Sequence, residues 1–134
     1  MKKVKSRLGV LLLLALPLGV ISAPNTNFTW TAPTNYEDGS ILDTVADPLS
    51  YTIYCGTAQG GPYNITFDAG INVESGTIDI GACVNGIPGT YYFVATATSS
   101  SFNTESAFSG EVSRTYTAVD LGKVPNAPIL ISVQ

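Results

Sequence analysis

The chain has 134 residues, 45% hydrophobic and 12% charged, with Lys+Arg 6, Asp+Glu 10 and no histidine. That length is one domain, and without histidine there is no Ser-His-Asp or Cys-His constellation, no imidazole metal ligand and no histidine pH switch. Four of the six basic residues, Lys2, Lys3, Lys5 and Arg7, precede an apolar run from Leu8 to Ile21, and no acid occurs before Glu37.

That beginning has the pattern of a secretory signal peptide. The run of 14 apolar residues falls short of the roughly 20 that span a bilayer, so no membrane insertion is expected after cleavage. The small residues in Val20-Ile21-Ser22-Ala23-Pro24 place the cut after Ser22 or Ala23. Residues 1–22 are therefore assigned as signal peptide. No cysteine stands near the cut, which argues against a lipid anchor. The remainder keeps only Arg114 and Lys123 against the ten acids, a formal charge of 2 − 10 = −8. Such a surface repels phosphate backbones and anionic headgroups, and nucleic acid is excluded as an expected partner.

From Thr26 onward, short runs rich in Thr, Tyr, Val, Ile and Phe alternate with Gly, Pro, Asn, Asp and Ser, an all-β pattern. Phe28 and Trp30 alternate with Thr29 and Thr31 in a first strand, which Pro33 stops. A long polar connection from Thr34 to Ser50 contains the Asp38-Gly39 turn. Tyr51, Ile53 and Cys55 then face inward from a second strand, and Tyr63, Ile65 and Phe67 alternate in a third. Ile78, Ile80 and Ala82 predict a fourth strand after the Glu74-Ser75-Gly76 turn. Tyr91, Phe93, Ala95 and Ala97 form the longest, and Phe108 to Tyr116 holds the last. Six strands at this spacing predict a sandwich.

Five segments in this order resemble a bacterial fibronectin type III domain. They are Phe28 to Thr34, Asp38-Gly39-Ser40, Tyr51 to Thr57, Ile87 to Phe93, and Glu105 to Ser113. The resemblance implies an immunoglobulin-like β-sandwich over residues 24–118. Its core would include Trp30, Tyr51, Ile53, Tyr91 and Phe93, with Trp30 packed against Tyr51 and Phe93 and Tyr91 as a corner tyrosine. Two departures stand out. Cys55 occupies a position where the family usually has an aromatic, and no first strand precedes the one carrying Trp30.

The resemblance also puts the strand ends that carry Cys55 and Cys83 at one pole. An even cysteine count in an exported chain usually pairs, so a Cys55–Cys83 disulfide is expected, the alternative being two separate buried thiols. Glu37, Asp38, Asp43 and Asp47 crowd one connection. Their spacing fits no known calcium loop, and nothing in the sequence raises one carboxyl's pKa to make a glycosidase pair. A solvated, charge-bearing loop is the expectation, with no catalytic residue, metal or cofactor assigned. Tyr36, Tyr54, Tyr63, Tyr92 and Phe102 read either as an exposed aromatic binding face or as ordinary cross-strand pairs.

Residues 119–134 resemble an interdomain linker followed by a spare strand, in which Ile129, Ile131 and Val133 alternate with more polar neighbours. Three arrangements remain open for segment 128–134: a loose extension, donation to a second subunit as the means of homo-oligomerisation, or return to its own domain. The functional expectation is a non-catalytic module, secreted or periplasmic, that binds or adheres through a protein or glycan partner. The alternatives are a subunit that assembles head-to-tail by strand donation, and a carbohydrate-associated accessory module.

Overall fold

The computed structural model describes residues 24–123 and 125–127. The expected signal peptide lies outside them, as does the expected terminal strand with Ile129, Ile131 and Val133. Seven strands and one helical turn follow in the order β1 (Asn25–Thr29), β2 (Leu49–Gly56), β3 (Ile65–Ile71), β4 (Ser75–Asp79), α1 (Gly81–Val84), β5 (Gly89–Ser99), β6 (Thr104–Glu105) and β7 (Val112–Tyr116). All strand pairs among the described residues are antiparallel. β1 pairs with β4 as a small sheet, while β3, β2 and β5 form a larger one whose far edge is shared by β6 and β7. No helix among the described residues is long and apolar enough to cross a membrane.

The period of two in the sequence is what fills the core. Leu49, Tyr51, Ile53 and Cys55 face inward from β2, and Tyr91 and Phe93 from β5. Ile78 and Ile80 close over them from the β4 side, joined by Val84, Tyr116 and Leu121. The packed unit therefore continues past residue 118 to Leu121, which is held by a turn in which Asp120 Oδ2 accepts the Thr117 backbone N–H at 2.7 Å. Trp30 is half-buried just beyond the end of β1 and packs on Tyr51 with the rings tilted at 48° and centroids 5.2 Å apart. Phe28, rather than Trp30, meets Phe93, edge-on at 5.1 Å.

The expected fourth strand ends early. β4 stops at Asp79, and Ala82 lies in the single helical turn α1. Asp79 Oδ1 accepts the Gly81 N–H at 2.8 Å, and the Cys83 and Val84 N–H groups both turn back to the Ile80 carbonyl. Side-chain capture of this kind competes with a ladder wherever Asp precedes small residues. Asn85 and Gly86, both left-handed, then end the turn. Its effect is to deliver Cys83 to Cys55, and the two form a disulfide. The bridge joins β2 of the large sheet to the segment that follows β4 of the small one, so it staples the two layers at one pole. Next to it, Gly56 admits no side chain, since a Cβ there would sit 2.4 Å from the Pro62 carbonyl oxygen.

Tyr91 anchors the same pole. Its hydroxyl lies 3.0 Å from the Val84 carbonyl and 2.8 Å from that of Ile87, tying β5 to the connection before it. Two outcomes are expected from denaturant titrations. Reducing the disulfide, which closes a loop of 28 residues, should lower unfolding free energy by roughly 3–4 kcal/mol in the chain-entropy model. Tyr91→Phe should cost about 1–2 kcal/mol, because buried carbonyls lose their partner. An unchanged denaturation midpoint would refute either claim.

Candidate functional site

Opposite the disulfide pole, three loops converge: residues 30–48 between β1 and β2, 72–74 between β3 and β4, and 100–103 between β5 and β6. The first is not a slack connection. Residues 34–42 fold as a miniature hairpin, with the Leu42 N–H on the Thr34 carbonyl at 3.0 Å and the Tyr36 N–H on the Ser40 carbonyl at 2.9 Å. At its tip, Gly39 takes a φ of 85°, a left-handed conformation that glycine adopts without strain. Asp38 caps that tip by accepting the Ser40 N–H, and Asp43 accepts the Val45 N–H. Two of the four crowded carboxylates thus serve as turn formers. Among the described residues no group of three or more His, Cys, Asp or Glu is placed to hold a metal ion.

Asp47 does something the sequence did not advertise. It is 3% exposed, and its carboxylate joins two loops. Oδ2 accepts hydrogen bonds from Ser99 Oγ at 2.6 Å and Tyr36 Oη at 2.7 Å, while Oδ1 accepts the Ser101 N–H at 2.8 Å. These donors, the Ser99 hydroxyl first, hold its pKa down at about 2. The Tyr36 hydroxyl is raised in turn, chiefly by its hydrogen bond to Asp47. Asn72 performs the same service for the third loop. Its side chain accepts the Leu49 N–H at 2.9 Å and donates to the Thr44 carbonyl at 3.2 Å, from a left-handed backbone with φ 50°. A polar hub therefore fixes all three loops relative to one another.

On this fixed frame the loops display large apolar side chains. Ile41 is 83% exposed, Val45 89%, Phe102 66% and Ile71, at the end of β3, 61%. Tyr36 meets Phe102 edge-on at 5.8 Å. Beside them a cleft of about 330 Å³ opens between the miniature hairpin and β5, with Pro33, Tyr36, Leu42, Leu49 and Ala97 for walls and Glu105 at its rim. It combines an apolar floor with a few polar groups, the usual make-up of a recognition surface.

The remaining aromatics form a second group. Segment 105–112 spans eight residues (112 − 105 + 1) opposite only six of β5 (98 − 93 + 1), so it bulges. Ser106 and Ser109 keep the ladder satisfied there, their Oγ atoms accepting the Ala97 and Ala95 N–H groups at 3.0 and 2.9 Å. The bulge carries Phe108 onto Tyr54 and Tyr63 on the outer face of the large sheet, with centroids 5.0 and 5.7 Å apart. Tyr54 donates to Glu105 and Tyr63 to Glu111, hydrogen bonds that raise both tyrosine pKa values. The aromatics that the sequence reads either as one exposed face or as ordinary cross-strand pairs do not share one surface. Tyr36 and Phe102 belong to the loop pole, and Tyr54 and Tyr63 to the outer sheet face.

The Asp47 hub predicts an acid-dependent stability. A carboxyl whose folded pKa lies below its ordinary 3.8 contributes stability above that value and loses it as pH falls towards about 2. Thermal melts should therefore be flat from neutral pH down to the ordinary carboxylate range and then drop. Asp47→Asn should melt lower at pH 7 and show a shallower acid drop. Parallel pH profiles for the two proteins would refute the assignment.

Comparison with known proteins attaches no family to this geometry: no family model, curated protein or solved structure matches the chain.

Proposed function

We propose that the chain is an exported, non-catalytic binding module of the fibronectin type III kind, which presents its loop pole to a protein partner outside the cytoplasm. Two antiparallel sheets, β1–β4 against β3–β2–β5–β7, suit that family's sandwich with its first strand missing. The Cys55–Cys83 disulfide fits an oxidising compartment, and the basic-then-apolar beginning of the sequence fits export.

The observation that carries the binding reading is the combination of exposure and rigidity at the loop pole. Exposed apolar residues scattered singly need no explanation. Here Ile41, Val45, Ile71 and Phe102 share one end of the molecule, on loops locked by Asp47 and Asn72. A surface that is ordered before contact loses little conformational entropy on binding, and aromatic side chains such as Phe102 and Tyr36 are favoured anchors.

A photo-cross-linking amino acid at position 45 tests this in the exporting host. It should yield a discrete protein adduct, whereas one at the exposed Ser113 should not. Ile41→Ser combined with Phe102→Ser should abolish the adduct while shifting stability by only about 0.5 kcal/mol, as surface changes do. Equal labelling from both positions, or an adduct indifferent to the double substitution, would sink the reading.

A further inference from the structure

The small sheet is too narrow for the large one. Across the ladder of β5, Val112 sits opposite Phe93 and Arg114 opposite Tyr91. Directly paired residues share a face, so Val112 and Arg114 lie on the inner face beside two core aromatics. Yet Val112 is 59% exposed, and of the five residues of β7 only Tyr116 is buried. The layer that should cover this strip ends at β1, where the Thr26 hydroxyl pairs with Tyr116 Oη at 2.6 Å and the Arg114 guanidinium lies 4.9 Å above the Tyr116 ring. Among the described residues β1 pairs only with β4. Its other edge offers backbone N–H and C=O groups directly above the uncovered strip, and such an edge is a template for another strand.

From this we infer that the β1 edge accepts residues 128–134 of a second copy of the chain. Those 134 − 127 = 7 residues extend over roughly 23 Å at about 3.3 Å each, ample for the five residues of β1. Ile129, Ile131 and Val133 recur at the period that would place all three on Val112 and its neighbours. Direction selects the second copy over the chain's own tail. β7 ends at the disulfide pole, where β1 begins, and Lys123 lies against Gly86 in the connection that follows β4, on the closed side of β1. The chain's own tail would enter from that pole and run parallel to β1, the one parallel pair in a wholly antiparallel fold and the less stable kind. A neighbour's tail entering from the loop pole runs antiparallel. It also brings the neighbour's disulfide pole, with Ile87 60% and Val119 72% exposed, towards Ile41, Val45 and Phe102. The inference thus names the partner for the binding reading above and relies on it for the face the neighbour meets. The interface is head-to-tail, so open chains or rings follow.

Two substitutions block opposite halves of the contact. Ile131→Asp disables the donor and Val112→Asp the acceptor, each by placing an unpaired charge in the buried seam. Val112 is exposed in the single copy, so Val112→Asp should melt like the unsubstituted protein diluted until it is monomeric. Full chain purified from an exporting host is compared by size-exclusion chromatography with light scattering across a concentration series. The unsubstituted chain should form oligomers that grow with concentration, and each variant alone should stay monomeric. An equal mixture of the two variants should give dimers and nothing larger, since one intact donor meets one intact acceptor. A monomeric unsubstituted chain, oligomers that survive both substitutions, or a mixture without dimers would each overturn the inference. If the mixture fails while position 45 still cross-links a different protein, the second copy is eliminated as partner and the binding reading stands.

Discussion

A layer two strands wide cannot cover one four strands wide, and much of this molecule is organised by that mismatch. β1 lies over β5 through Phe28 and Phe93, and Trp30 just beyond its end reaches Tyr51 of β2. β1 meets β7 through the hydroxyl pair of Thr26 and Tyr116. The small sheet has few apolar groups to hold it in place, and the disulfide at the end of α1 compensates by fastening the β4 side to β2. Leu121, swung under the same pole after β7, closes the bottom of the core. The far margin, Val112 and Arg114, is left open.

The large sheet has the opposite difficulty, two faces to satisfy. Its inner face is the core. On its outer face, Val94 and Thr96 of β5 are nearly as buried as the residues pointing inward. Tyr54, directly opposite Val94 on β2, and Glu105, which accepts the Thr96 hydroxyl at 2.6 Å, provide the cover. Glu105 is held below the ordinary carboxyl range by Thr96 first and Tyr54 second. Tyr54 and Tyr63 on this face are therefore engaged in burying the central strand, whereas Ile41, Val45 and Phe102 at the loop pole stay exposed.

What could be read in the sequence followed from period and composition. Tyr51, Ile53 and Cys55 in β2, and Tyr91 and Phe93 in β5, announce their inward face by alternation alone. The features that escaped depend on contacts between residues far apart. Ile78 and Ile80 continue a strand period up to Gly81, and only the Asp79 side chain's capture of the Gly81 N–H turns the chain into α1. Asp47 looked like one of four solvated acids. Its partners Ser99 and Ser101 lie 52 and 54 residues away, and no local pattern marks the pairing. The one available signal was its setting, Ala46-Asp47-Pro48-Leu49, a lone carboxylate entering an inward-facing strand. The resemblance implies that Trp30 packs on Phe93. β1 ends at Thr29, and Phe28 takes that place.

The doubled bulge at Ser106 and Ser109 bears on how such a molecule meets its own kind. A regular strand edge offers a neighbouring chain a ruler of evenly spaced donors and acceptors. Along segment 105–112 that ruler is broken, because hydroxyl oxygens stand in for carbonyls towards β5 and the backbone arches away beneath Phe108. Irregularity of this sort discourages edge-to-edge pairing. Association by backbone ladders is thereby discouraged at that rim of the large sheet, whereas the β1 edge inferred to accept a neighbour's strand belongs to a strand that pairs with β4 without a shift of register. Growth by such contacts would have a front and a back, and sideways sheet-to-sheet aggregation at the bulged rim would lack a template.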